Sequence, residues 1–181
     1  MKKINTHSFT LVLSGVNDET DNLEDNLFEA GCDDSLINFR NGTVYLEFDR
    51  EALTFEEAVI SAIKQVEGST LSATVINVAP DDYVTESEMA KRLHVKRQTV
   101  SLWFKRERRI ESAFPSPMMK LTEKSPLWRW YEVVRWLYQQ KMISDATIIH
   151  NAKFIENLNI ALLERNIDAK HYRAELLKKI T

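Results

Sequence analysis

Apolar and polar residues alternate through His7–Ser14 (HSFTLVLS), a run rich in β-branched and aromatic side chains, and this period of two predicts a strand. The period then lengthens. Within Thr20–Ala30 the apolar positions Leu23, Leu27, Phe28 and Ala30 recur at helical spacing,. Leu36–Arg40 and Thr43–Phe48 return to strand character on either side of Asn41-Gly42, a dipeptide that supplies the positive φ angles of a two-residue hairpin turn. Thr54 stands three residues before Glu57 in a capping-box pattern, and Ala58, Ile60, Ala62, Ile63 and Val66 give the ensuing helix its apolar face,. Leu71–Val78 predicts a closing strand.

Strand, helix, hairpin, helix, strand is the order of a ferredoxin-like (βαββαβ) domain, with both helices on one face of an antiparallel sheet. The predicted fold class is therefore α+β, with this domain over residues 1–80. That stretch carries 14 acids against 5 bases, a net of −9, whereas residues 81–181 carry 13 against 19, a net of +6. An acidic front half is repelled by DNA and a basic rear half attracted to it, so a boundary near Ala79–Asp82 separates two jobs. The front domain is expected to dimerise or dock a protein partner, with ligand sensing as the next reading; RNA binding is disfavoured by its acidity. Asp33, Asp34, Asp49 and Glu51 lack the spacing of a calcium loop and read as turn and surface residues.

In the rear half, Thr85 and Glu88 form a second capping-box pattern for a helix over Glu86–Leu93, and a second short helix opens with Lys96, Arg97 and Gln98,. At 100° per residue, Val100, Trp103 and Phe104 share one side of it, and Gln98, Ser101, Leu102 and Lys105 share the other. This is a helix-turn-helix that presents polar groups to a DNA groove. Gln98 can read an adenine edge through two hydrogen bonds, Arg97 can fork onto a guanine or a phosphate, and Ser101 can contact either. From Lys91 to Arg109 eight bases face the single acid Glu107, a density that suits a polyanion. Lys96, Lys105, Arg106, Arg108 and Arg109 are the expected phosphate contacts.

Beyond this helix, Pro115 and Pro117 exclude a helix, short β-capable runs follow over Met118–Leu121 and Leu127–Trp130, and Tyr131–Met142 regains helical periodicity,. The E-x-A-x-x-L-x-V-x-R-Q-T-V-S core at Glu88–Ser101, the FPSP segment and SPLWRWYEVVRWL from Ser125 to Leu137 resemble the MerR-like and AlpA-like winged helix-turn-helix DNA-binding proteins over residues 83–140. The resemblance implies a winged domain over residues 83–142 whose wing places Lys120, Lys124 and Arg129 on the DNA backbone. It departs from the family pattern at His94, where the turn usually has Gly, and at Lys96, where Ser or Thr usually caps. Ser144–Ile180 reads as helical with a break at Asn166–Asp168, giving a C-terminal helical segment over 143–181.

These features predict a sequence-specific double-stranded-DNA-binding protein, a homodimeric transcriptional repressor of a bacterial, phage or mobile-element circuit, in the cytoplasm at the nucleoid. The alternatives are an antitoxin or adaptor that holds a basic protein partner through the acidic domain, and an architectural, excisionase-like or packaging factor. No metal or cofactor set, phosphate-cradling Gly loop or paired nucleophile is apparent, so no enzyme is expected. No apolar run is long enough for a membrane span. The single Cys32 reads as core.

Overall fold

A computed structural model describes residues 3–104, 112–165 and 167–180. The chain is α+β, with a four-stranded antiparallel sheet and seven helices among the described residues. It divides into two compact units, one of residues 1–80 with 157–181 and one of residues 81–156. The C-terminal helices, read from sequence as a segment of their own, are thus shared between the units. No helix among the described residues is long and apolar enough to cross a membrane.

The first unit begins β1 (Asn5–Ser14), α1 (Leu23–Glu29), β2 (Ser35–Arg40), β3 (Thr43–Ala52), α2 (Phe55–Gly68) and β4 (Thr74–Ala79), with sheet order β2-β3-β1-β4. Asn41 and Gly42 take φ of 51° and 77°, so the turn closes with Arg40 opposite Thr43,. Alternation then sorts the faces. Phe9, Leu11 and Leu13 of β1 and Val44, Leu46 and Phe48 of β3 are buried together with Leu23 and Leu27 of α1 and Ala58, Val59, Ala62 and Ile63 of α2. Each such leucine or phenylalanine contributes on the order of 1.5–3 kcal/mol. Phe9 stacks on Phe48 at 5.0 Å and meets Phe55 edge-on at 6.1 Å. The intervening residues, among them Ser8, Thr10, Glu47 and Asp49, are exposed or half-buried.

Arg50 continues the inward phase of β3 and is 7% exposed. Its Nε and Nη2 donate to the two carboxylate oxygens of Asp34 at 2.7 Å each, Nη1 donates to Ser61 Oγ at 3.1 Å and Gln65 Oε1 at 2.5 Å, and Nη2 also reaches the Gly31 carbonyl at 3.1 Å. Asp34 is therefore a partner in the interior as well as a turn residue. Gly31 holds φ +90°, and a Cβ there would come within 2.6 Å of Gln65 Nε2, so glycine lets the chain close over this network. Neighbouring Cys32 is buried; burial pushes its thiol up to about 11, with Arg50 opposing, and it stays protonated at neutral pH.

In the second unit, β5 (Tyr83–Val84) leads into α3 (Glu86–Arg92) and α4 (Arg97–Phe104), and β6 (Trp128–Arg129) into α5 (Trp130–Gln139). α6 (Ala146–Glu164) starts in this unit; its residues from 157 on, and α7 (Ile167–Ile180), belong to the first. There Asn159 of α6 meets the outer edge of β4: the Val78 N–H donates to its Oδ1 at 2.8 Å and its Nδ2 donates to the Val78 carbonyl at 3.0 Å.

The core of the second unit joins Val84, Met89, Ala90, Val100, Trp103, Phe114, Trp128, Val133, Val134, Trp136, Leu137 and Ala152. The two short β-capable runs, Met118–Leu121 and Leu127–Trp130, pair little with each other. Met119 and Leu127 make a single antiparallel bridge, and β6 pairs instead with β5, Trp128 opposite Val84. Burial explains the preference: Val84 and Trp128 enter the core, whereas Met118, Met119 and Leu121 stay exposed,.

Candidate nucleic-acid interface

The turn between α3 and α4 is built from both sides. Thr85 Oγ1 accepts from the Glu88 N–H at 3.3 Å while Glu88 Oε2 accepts from the Thr85 N–H at 2.6 Å, a complete capping box,. At the far end the His94 N–H donates to Lys91 O at 3.2 Å and the Val95 N–H to Ala90 O at 3.0 Å, the paired bonds of a Schellman motif. His94 occupies its left-handed position at φ 53°, where glycine is usual; histidine is among the residues that tolerate it.

That turn aims α4. Val100 and Trp103 are buried, Lys96, Arg97 and Gln98 are exposed, and Ser101, Leu102 and Phe104 lie between. Aromatic packing holds the inner face: Trp103 lies 6.3 Å from both Phe114 and Trp136, and Phe104 lies 5.6 Å from Trp128. Trp103 is a core residue. Two indoles also fix the extended segment after it, Trp136 Nε1 donating to Ser112 O at 3.3 Å and Trp128 Nε1 to Pro115 O at 3.1 Å.

The cations of this unit differ in how free they are. Arg97 is 62% exposed along its side chain and its Nε donates to Glu86 Oε2 at 3.0 Å, which orients the guanidinium and leaves most of its five N–H donors for other partners. Arg92 turns inward, over the Trp130 ring at 5.2 Å and onto the Asp81 carbonyl at 2.8 Å. Burial pulls its pKa below the ordinary arginine value, with Asp81, Glu88 and Asp82 opposing, and burial pushes the Asp81 carboxyl up, with Arg92 opposing. Lys120 and Lys124 are exposed between Met119 and Leu127, and Lys120 lies 3.7 Å from Glu123.

Arg129 is placed differently from its expected role on the DNA backbone. Its Nε donates to Glu156 Oε1 of α6 at 2.7 Å, with side chains 34% and 10% exposed; that pairing holds β6 to α6 and takes up the charge within the unit. Nothing in the local sequence signals Glu156, which is 27 positions away. Lys105, Arg106, Arg108 and Arg109 lie outside the described residues. What the structure exposes is the opening of α4, Lys96, Arg97 and Gln98, with the half-buried Ser101 one turn on.

Lys96 precedes α4 where a side-chain acceptor would cap it. The Thr99 N–H bonds to the Lys96 carbonyl at 2.8 Å, but an ammonium group only donates. Lys96→Ser is therefore expected to stabilise the second unit by about 1 kcal/mol in urea unfolding. An unchanged urea midpoint would show that the missing cap does not limit stability.

Among the described residues no three His, Cys, Asp or Glu come together as a metal site would need. The chain matches no family model, no curated protein and no solved structure.

Proposed function

We propose that this chain is a sequence-specific double-stranded-DNA-binding regulator that acts as a homodimer, with a ferredoxin-like first unit and a MerR-like or AlpA-like winged helix-turn-helix in the second. For the first unit, the strand order β2-β3-β1-β4 with helices after β1 and β3 supports the reading. For the second, the supporting features are the capped α3, the Schellman turn and the loop bridged at Met119 and Leu127.

One observation carries the function: α4 buries Val100 and Trp103 while exposing Lys96, Arg97 and Gln98 at its opening. A helix anchored by its back and polar at its N-terminal end is the element that enters a major groove. In this reading Gln98, Arg97 and Ser101 read base edges, and Lys96, Lys120 and Lys124 contact phosphates together with Lys105, Arg106, Arg108 and Arg109. A homodimer sets its two α4 helices on half-sites about one helical turn apart.

The test starts with selection of bound sequences from random DNA. On the selected site, Gln98→Ala and Arg97→Ala are each expected to lower affinity by about 1–3 kcal/mol while binding to unrelated DNA changes little. Gln98→Ala is the cleaner of the two, because Arg97→Ala also strips Glu86 of its ion-pair partner. Equal losses on selected and random DNA would refute base reading; no enrichment in the selection would refute sequence-specific binding.

A further inference from the structure

The two edges of the four-stranded sheet have different fates. The outer edge of β4 is met by Asn159. Among the described residues β2 is hydrogen-bonded to β3 alone as a strand, and Leu36, Phe39 and Arg40 along it are exposed. A two-residue hairpin makes the residues flanking its turn, Arg40 and Thr43, a hydrogen-bonded pair,. The Asp49 N–H donating to Asp34 O at 3.2 Å keeps that phase at the other end of the strand. The peptide groups of Ile37 and Phe39 therefore point away from β3. Edge strands are commonly blunted by lysine, proline, a bulge or an inward charge, yet β2 reads SLINFR. Around it Phe28, Leu36 and Phe39 are 67%, 63% and 44% exposed, and a groove of about 260 Å³ runs beside it, lined by Leu27, Phe28, Leu36 and Ile37 among others.

We propose that β2 pairs antiparallel with β2 of a second copy about a twofold axis through Asn38, joining the two sheets into one. The register follows from which groups are available. With the axis at Asn38, Ile37 faces the partner's Phe39, and each such pair exchanges both of its N–H···O bonds. Moving the axis to Ile37 would call on the Ser35 N–H, which already donates to Cys32 O at 3.1 Å. A shift by a single residue between opposed strands would set the open face of one sheet against the helix-covered face of the other.

Charge then selects a second copy over an unrelated strand. On the open face Arg40 stands opposite the partner's Leu36, and the next strand inward carries the partner's Glu47, because Leu36 and Glu47 are paired within each sheet. Two strand spacings, about 10 Å between backbones, lie within the combined reach of an arginine and a glutamate. Among the described residues Arg40 makes no ion pair, and the Glu47 carboxylate accepts from Asn38 Nδ2 at 3.0 Å. The twofold supplies this contact twice. The inference rests on the homodimeric reading above and makes no assumption about DNA.

Sedimentation equilibrium of the full chain tests it. The unaltered protein is expected to sediment as a dimer and Ile37→Pro as a folded monomer, since proline at an outward-facing edge position removes only the outward N–H. Arg40→Glu is expected to weaken the dimer about tenfold, and adding Glu47→Arg to restore it. A dimer unmoved by Ile37→Pro, or a double variant that fails to recover, overturns the edge pairing and leaves the homodimeric reading standing. A monomeric unaltered protein overturns both. Should circular dichroism show Ile37→Pro unfolded, the charge exchange decides alone.

Discussion

Arg50→Ala is expected to lower the stability of the first unit by about 3–5 kcal/mol, the cost of breaking a buried ion pair from one side. The arginine joins β3 to the turn after α1 through Asp34 and Gly31, and to α2 through Ser61 and Gln65. Its guanidinium also lies 4.8 Å from the Phe48 ring centre. Alanine leaves all four polar partners without their donor. Asp34 is 31% exposed along its side chain, so water takes over part of its solvation and the loss falls toward the lower bound. Arg50→Lys keeps the charge but loses the two-pronged contact, so it should lie between alanine and the native residue. Urea unfolding followed by circular dichroism gives the numbers. A loss below about 1 kcal/mol for alanine would mean that the network is dispensable.

Trp136→Ala should cost the second unit a similar amount, about 3–5 kcal/mol, with a consequence for DNA. Trp136 lies 4.9 Å from Phe114 and 6.3 Å from Trp103, and its indole holds the Ser112 carbonyl. Trp103 in turn is the inner face of α4. A cavity at Trp136 therefore withdraws support from the helix proposed to read bases, and specific affinity should fall although no DNA-facing group has changed. Trp136→Phe keeps much of the ring volume and removes the N–H, so about 1 kcal/mol should be lost, with specific binding retained. If Trp136→Ala unfolds at the native denaturant midpoint, the aromatic cluster is not what holds α4.

Much of the first unit was legible because its determinants are local. Asn41-Gly42 fixes the hairpin, Thr54 caps α2 by accepting from the Glu57 N–H at 3.1 Å, and alternation in β1 and β3 sorts the faces. The α3–α4 pair was legible for the same reason, through the Thr85–Glu88 capping box. Arg50 was not, because its partners lie up to 19 positions away. Its one signal was phase: Arg50 follows Val44, Leu46 and Phe48 on the buried face of β3, where a charge needs a partner. Asn159 carries the same sign, lying one helical turn from buried Ile155 and Leu162. Arg129 adds a distant partner of its own: the resemblance implies a basic group on a wing, and the structure pairs it with Glu156, 27 positions along the chain. β6 likewise found a partner strand 45 positions upstream, at Tyr83–Val84, and local β propensity has no means of naming one.

Asn159 has a meaning beyond its two bonds to Val78. A sheet with one bare edge that pairs about a twofold axis uses up that edge in the first association, and growth stops at two copies. A sheet with two bare edges has no such stopping rule, because each addition presents a fresh edge to the next chain. By occupying the outward N–H and C=O of Val78, one side-chain amide obstructs β4 as a second pairing edge, which favours a closed pair over a fibre if copies meet through β2 as proposed.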